Sequence, residues 1–232
     1  IVQNDVMDYG YNGTDLFAAE GKADGFNTVA ALYAEVCQVV STKDITSIAD
    51  LKGKRVSVGD AGSGVEFNAR QILEAYGMTF DDIEVNNLGF GDSSDALKDG
   101  KIDAFFCTAG APTVAITDLA TTTEIVIVEI DAEHLAQLQK DYGFYAEYTI
   151  PAGTYKGVDK DAKTVAVKAT FIVSNELSEQ VVYELTKAVY ENASEYTHDK
   201  AKEMNLEYAV SSISVPFHPG AEKYFKEVGA IK

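Results

Sequence analysis

The stretch that decides the fold is KRVSVGDAGSGVEF, residues 54–67. Its first part, 54–58, contains two β-branched valines and predicts a strand, and the glycine-rich loop 59–64 follows directly. The next segment, 65–76, repeats apolar residues at the spacing of one helix face, with Gly77 placed as a left-handed stop. A strand, a glycine loop and a helix in this order predict an α/β unit.

The same alternation continues on both sides of this unit and predicts a mainly parallel α/β fold. Two long apolar strands, 32–40 and 164–173, are the candidates for strands that cross between two lobes. The other predicted strands are 83–88, 101–107 and 124–130. The predicted helices are the turn 45–51, 92–98, a helix opened by Pro112, 132–142, 178–196 and a short helix after the turn 216–220.

The composition excludes several classes of protein. The chain has 232 residues, 46% of them hydrophobic, so wholesale disorder is excluded. The 19 basic and 37 acidic residues give a net charge of −18, which argues against nucleic-acid binding. No run of about 18 apolar residues predicts a membrane span. The first residues include no initiator Met or signal core, so we expect a mature or trimmed chain.

The cysteines and histidines match no metal-binding pattern. Cys37 and Cys107 lie in apolar runs, which favours two buried free thiols, and their spacing leaves a disulfide open. His134, His198 and His218 are scattered along the chain, so we expect structural or solvent-facing roles for them and no bound metal.

The loop 59–64 is a candidate anion site. Ligands of open α/β sheets bind beyond the carboxyl ends of strands, where a helix start offers unpaired N–H groups. Ser63 adds a hydroxyl, although the spacing fits neither a P-loop nor a dinucleotide fingerprint. The alternative is a tight turn in which Ser63 only caps the helix.

Two further polar segments follow predicted strands. The turn 108–112 repeats the strand-to-helix arrangement, and its alternative is a plain βα turn. The cluster Gln3, Asn4 and Asp5 follows the opening strand, and its alternative is capping of a helix by Asn4 or Asp5. We therefore expect the turns to converge on one ligand-binding region.

The two arginines do not fit a carboxylate clamp. Arg55 precedes a strand core, so it is expected at the sheet edge opposite the loop, and Arg70 lies well inside a helix. If an anion binds, backbone N–H groups and hydroxyls must therefore supply most of its hydrogen bonds. The sequence gives little support for an enzyme. Cys107 is the one conceivable nucleophile, and no histidine is near it in sequence.

An ordered set of short phrases resembles the extracytoplasmic solute receptors of TRAP transporters, TAXI subfamily. The resemblance covers essentially the whole chain. The phrases are VQND (2–5), LKGKRVSVG (51–59), GSG (62–64), DALKDGKIDAFF (95–106), GAP (110–112) and FHPGA (217–221).

The resemblance implies a type II periplasmic-binding-protein fold that closes on a small carboxylate such as glutamate, glutamine or 2-oxoglutarate. The implied first lobe comprises 1–40 and 164–232, and the second comprises 41–163. It also implies delivery to sodium-coupled TRAP membrane subunits, an extracytoplasmic location with or without a lipid anchor before trimming, and no cofactor. The implied ligand-binding residues are Gln3, Asn4, Asp5, Tyr33, Ser63, Gly64, Val65, Thr108, Ala109 and Gly110.

Two departures from the family pattern bear on these expectations. Val65 stands where family members often have Thr, so its backbone N–H alone would hold the ligand. The family's leading segment before Gln3 is absent, so we expect an incomplete first lobe and weak binding by this chain alone. The alternative functions are an enzyme on the same fold, using Cys107, and a ligand-sensing module of a receptor.

Overall fold

The structure, a computed structural model, describes residues 1–42 and 45–232. Its strands are β1 (Val2–Gln3), β2 (Phe26–Ser41), β3 (Arg55–Ser57), β4 (Glu84–Asn86), β5 (Ala104–Ala109), β6 (Val126–Ile127), β7 (Ala146–Ile150) and β8 (Ala162–Ser174). Its helices are α1 (Asn4–Asn12), α2 (Gly64–Ala75), α3 (Phe90–Lys98), α4 (Val114–Thr122), α5 (Ala132–Asp141), α6 (Glu179–Glu191), α7 (Leu206–Val210) and α8 (Pro219–Glu227). The predicted α/β class is confirmed.

The chain divides into two compact units. The first comprises Ile1–Ala34 and Val167–Lys232, and the second comprises Glu35–Ala166. The strands β2 and β8 each contribute residues to both units. Within the described residues, no helix is both long enough and apolar enough to cross a membrane.

The sheet of the second unit positions the predicted turns. The strand β3 lies between β4 and β5 and pairs in parallel with both. The end of β2 pairs antiparallel with β5 and β6, and β7 pairs antiparallel with β8. The predicted parallel pairing is therefore confirmed for β3, β4 and β5, and the crossing strands add antiparallel pairs.

Helix α2 packs its predicted apolar face against β5. Ile72 and Leu73 are fully buried, as is Phe105 on the strand. The helix ends as predicted, because Gly77 takes a φ of 67°, which costs a glycine little. Packing of this face fixes the start of α2, and with it the end of the loop 59–64.

The first unit is built around β1, β8 and the pair of helices α6 and α8. Gln3 pairs with Ala169 in the antiparallel β1–β8 ladder. The helices α6 and α8 pack closely and share a core with β2. The buried members of that core are Val29, Ala30, Leu32, Val182, Ala209, Ala221, Tyr224 and Phe225.

Several predicted boundaries were wrong. The predicted strand 124–130 shrinks to the two residues of β6, and the helix predicted to reach 196 ends at Glu191. The strand β5 continues through Ala109, so Thr108 and Ala109 belong to the strand and not to a turn. Pro112 precedes the N-cap residue Thr113 instead of lying in the first helical turn. Extra ladder pairs with β2 explain the longer strand, because Thr108 and Ala109 both find partners there.

Arg55 forms a two-pronged ion pair with Asp103 at the amino ends of β3 and β5. Its Nη2 lies 2.6 Å from Oδ1 and its Nε 3.1 Å from Oδ2. The backbone N–H of Arg55 also donates to Oδ2, at 2.9 Å. The prediction that Arg55 lies at the edge opposite the glycine loop is confirmed.

We expect Asp103→Asn to reduce stability slightly at neutral pH. The hydrogen-bonded Arg55 guanidinium holds the pKa of Asp103 below its usual value, so the folded state favours the charged carboxylate. This contribution is present above about pH 4 and is lost as the pH falls through the lowered pKa. Urea unfolding at pH 7 and pH 3 measures the difference. The exposed Asp99→Asn, which loses a single lysine contact, is the control, and an equal effect of both changes would contradict the prediction.

Candidate functional site

Two of the predicted turns lie at one edge of the second unit's sheet. Val56 pairs with Ala104 and Ser57 with Phe105 in the parallel β3–β5 ladder. The loop that follows β3 and the residue Gly110 that follows β5 therefore leave the sheet in the same direction. This edge is where open α/β sheets bind ligands.

Ser63 caps helix α2, as the structural alternative predicted. Its Oγ accepts a hydrogen bond from the backbone N–H of Glu66 at 3.2 Å. Among the described residues, the N–H groups of Gly64 and Val65 have no acceptor, as is usual for the first residues of a helix. The loop thus still offers two open backbone donors beside the positive end of the α2 dipole.

Glu66 adds a charge to this loop that our sequence analysis missed. Its Oε2 accepts the backbone N–H of Gly62 at 2.7 Å. The spacing of Ser63 and Glu66 is that of a capping box, which was the signal available in the sequence. A carboxylate therefore lies next to the open amides, so the loop presents both donors and a negative charge.

The turn at Gly110 is held by a network of polar groups, of which Gln38 and Tyr155 are buried and Thr113 is half-buried. Thr113 Oγ1 donates to the Gly110 carbonyl at 2.9 Å and accepts from Gln38 Nε2 at 2.8 Å. Tyr155 donates its hydroxyl hydrogen to Gln38 Oε1 and accepts the backbone N–H of Thr113 at 2.9 Å. Each member supports the others, so the network fixes the direction in which the turn leaves β5.

The side chain of Thr108 points into the second unit. It is 5% exposed, and its Oγ1 donates to the sulfur of Cys37 at 3.5 Å. Its predicted role in binding stays a prediction, and Ala109 beside it is half-buried.

The two cysteines are buried and not bonded to each other, as the favoured prediction had it. Burial raises the pKa of the Cys107 thiol to about 12, so it is protonated at neutral pH. A protonated, buried thiol is a poor nucleophile, so Cys107 gives the enzyme alternative little support.

Three of the predicted residues of the first unit, Gln3, Asn4 and Asp5, lie at the start of α1. Asn4 Oδ1 accepts the backbone N–H of Lys168 at 2.8 Å and so joins the helix to β8. Neither Asn4 nor Asp5 caps the helix, because the N-cap position falls on Gln3, whose side chain makes no capping bond. Gln3 is 8% exposed, and its buried Oε1 has no hydrogen-bond partner among the residues that the structure describes. Tyr33 is half-buried on β2.

The histidines have structural roles. The ring of His134 stacks on Tyr76 with centroids 3.5 Å apart. His198 and His218 each accept a backbone N–H at the start of a helical segment. In the part of the chain that the structure describes, no group of histidines, cysteines and acids could hold a metal ion.

Solved structures similar to this chain include binding proteins of known ligands. One is the periplasmic aliphatic sulphonate binding protein of Escherichia coli, which is 13% identical, with a match that covers 87% of this chain and 59% of that chain at a TM-score of 0.44. Another is the alkanesulfonate-binding protein of Xanthomonas axonopodis pv. citri bound to MOPS, which is 14% identical, with a match that covers 88% of this chain and 60% of that chain at a TM-score of 0.48. A third is an ancestral arginine-binding protein bound to arginine, which is 20% identical, with a match that covers 77% of this chain and 63% of that chain at a TM-score of 0.44. This chain spans less than two thirds of the length of each.

The family comparison covers nearly the whole sequence. The model of the NMT1-like family matches residues 1–229, which include both units and all the predicted site residues. The chain therefore belongs to the NMT1-like family.

Proposed function

We propose that this chain is an extracytoplasmic solute-binding receptor of a TRAP transporter, of the TAXI type, with its two units as the lobes of a periplasmic-binding-protein fold. The observation that carries the proposal is the pair of open amides, Gly64 and Val65, at the same sheet edge as Gly110. Membership of the NMT1-like family and the TAXI-like phrases support it.

The charges at the α2 loop favour one class of solute. Open N–H groups at a helix start attract a carboxylate. The Glu66 carboxylate beside them would attract an ammonium group. We therefore favour an amino acid, glutamate or glutamine, over 2-oxoglutarate, which has no ammonium group. The contributions of Asp5, Tyr33 and Thr108, the lobe boundaries and closure on the ligand stay predictions.

Isothermal titration of the chain with L-glutamate, L-glutamine and 2-oxoglutarate tests the proposal. We expect heat of binding and a raised melting temperature with the amino acids, because a ligand that binds only the folded state stabilises it. The ligand should be recovered unchanged, which distinguishes binding from turnover. Absence of binding for all three compounds, or their chemical conversion, would contradict the proposed function.

We expect Gln3→Met to lower the affinity for L-glutamate about tenfold or more without destabilising the fold. An unpartnered buried polar atom costs about 1–3 kcal/mol, so its removal leaves stability unchanged or raises it. A ligand that used the Gln3 amide would lose about 1.4 kcal/mol for each tenfold fall in affinity.

Titration calorimetry and urea unfolding of the same variant check both halves of this prediction. The exposed Gln137, changed to Met, is the matched control and should alter neither quantity by much. Lower stability of Gln3→Met with unchanged affinity would make Gln3 a purely structural residue.

A further inference from the structure

Lys168 is a half-buried cation on β8 in the first unit. Its Nζ donates to the carbonyl oxygen of Ser211 at 2.7 Å and to Ser211 Oγ at 2.6 Å. It also lies 4.4 Å from the centre of the Tyr208 ring. These partners are neutral groups, and Lys168 forms no ion pair with any carboxylate of residues 1–42 or 45–232.

An unpaired, partly desolvated lysine is unusual in a chain with 37 acidic residues. Taking a cation out of water costs free energy that a nearby carboxylate normally offsets. Lys200 shows the usual arrangement: it is 8% exposed, and its Nζ lies 2.6 Å from Oε1 of Glu203. Burial lowers the pKa of Lys168, and no neighbouring charge opposes that shift.

One N–H group of the Lys168 ammonium makes no hydrogen bond within the described residues. An ammonium has three N–H groups, and Ser211 accepts two of them. A purely structural role, in which Lys168 anchors the turn at Ser211, would explain the two hydrogen bonds. It would not explain the positive charge, because a neutral donor could make the same hydrogen bonds to Ser211. The third N–H, and a charge that is offset in part by the Tyr208 ring but by no carboxylate of the described residues, are suited to an anionic group from outside the chain.

We propose that Lys168, which belongs to the same unit as Gln3, Asn4 and Asp5, binds a carboxylate of the solute, a task for which the chain offers no suitable arginine. This inference rests on the proposed function and names a further residue for it. Asn4, itself one of the residues predicted to bind the ligand, holds the backbone N–H of Lys168 at 2.8 Å and so fixes the strand from which the lysine extends. Lys168 lies outside the turns at which the sequence predicted the site, so it was not among the predicted ligand-binding residues.

The test is titration calorimetry with L-glutamate on Lys168→Met and Lys168→Gln. A charge-assisted hydrogen bond contributes about 1.5–3 kcal/mol, so we expect the affinity to fall about 10- to 100-fold in both. The glutamine keeps a donor for Ser211 and therefore isolates the charge. Lys168→Arg keeps the charge and should retain more affinity than either.

Lys156→Met is the matched control. Lys156 also donates to a backbone carbonyl, that of Thr121 at 3.2 Å, and also lacks a carboxylate partner among the described residues, so its removal changes the net charge equally. It should leave the affinity unchanged. Wild-type affinity in a folded Lys168→Gln, or an equal loss in Lys156→Met, would overturn the inference and leave the proposed function standing. Failure of the wild-type chain to bind any of the three solutes would overturn both.

Discussion

We expect Gly220→Ala to lower the free energy of unfolding of the first unit by about 3 kcal/mol, the upper end of the usual cost of overfilling an interior. Gly220 is the second residue of α8, at the point where this helix packs on α6. A Cβ added there would overlap the carbonyl oxygen of Glu179 and would lie 2.5 Å from the backbone nitrogen of Tyr183.

The obstruction at Gly220 is backbone, which cannot rotate away as a side chain can. The two helices would have to move apart, and the core residues between them, including Val182 and Phe225, would lose contacts. Urea unfolding followed by circular dichroism measures the loss, and hydrogen exchange of α6 and α8 assigns it to the first unit.

Gly91→Ala is the matched control for this change. Gly91 is also the second residue of a helix, α3, and a Cβ added there would lie within 4 Å of no atom of the described residues beyond its chain neighbours and its own helix backbone. Alanine is the better helix former, so this variant should be as stable as the wild type or up to about 1 kcal/mol more stable. Equal unfolding midpoints for the two variants would show that the α6–α8 contact tolerates a methyl group.

Local periodicity predicted the elements whose apolar faces are regular. Helix α2 was predicted from 65 and begins at Gly64, because its buried residues recur at helical spacing. Helix α1 was predicted only by the alternative in which Asn4 or Asp5 caps a helix, because Gly10 and several Tyr and Asn residues make its sequence a poor helix former. Its buried Met7 packs in the first unit, so tertiary contacts decide its conformation.

The candidate site was predictable only where neighbouring residues in sequence define it. The α2 loop could be found from its glycines and Ser63. The network behind Gly110 could not, because Gln38, Thr113 and Tyr155 are far apart in the sequence and meet only in the folded unit.

Gly59→Ala is the substitution expected to disturb the candidate site most. Gly59 has a φ of 90°, and a Cβ there would lie 2.7 Å from the Cβ of Val65 and 3.0 Å from Oγ of Ser63. The backbone strain costs roughly 1–3 kcal/mol, and the overlap adds to it. Because Val65 is a first-turn residue of α2, relief requires the helix start and its open amides to shift.

Gly62→Ala separates the effect of backbone strain from the effect of steric overlap. Gly62 has a φ of 75°, but a Cβ there would lie within 4 Å of no atom of the described residues beyond its chain neighbours. Its substitution therefore adds backbone strain without a steric overlap. We expect Gly59→Ala to lose at least about 1 kcal/mol more stability than Gly62→Ala in urea unfolding, and to lose more affinity for L-glutamate in calorimetry. If both variants lost equal stability, the contact between Gly59 and Val65 would have room for a methyl group. If Gly59→Ala were destabilised but kept full affinity, the start of α2 would not be part of the binding site.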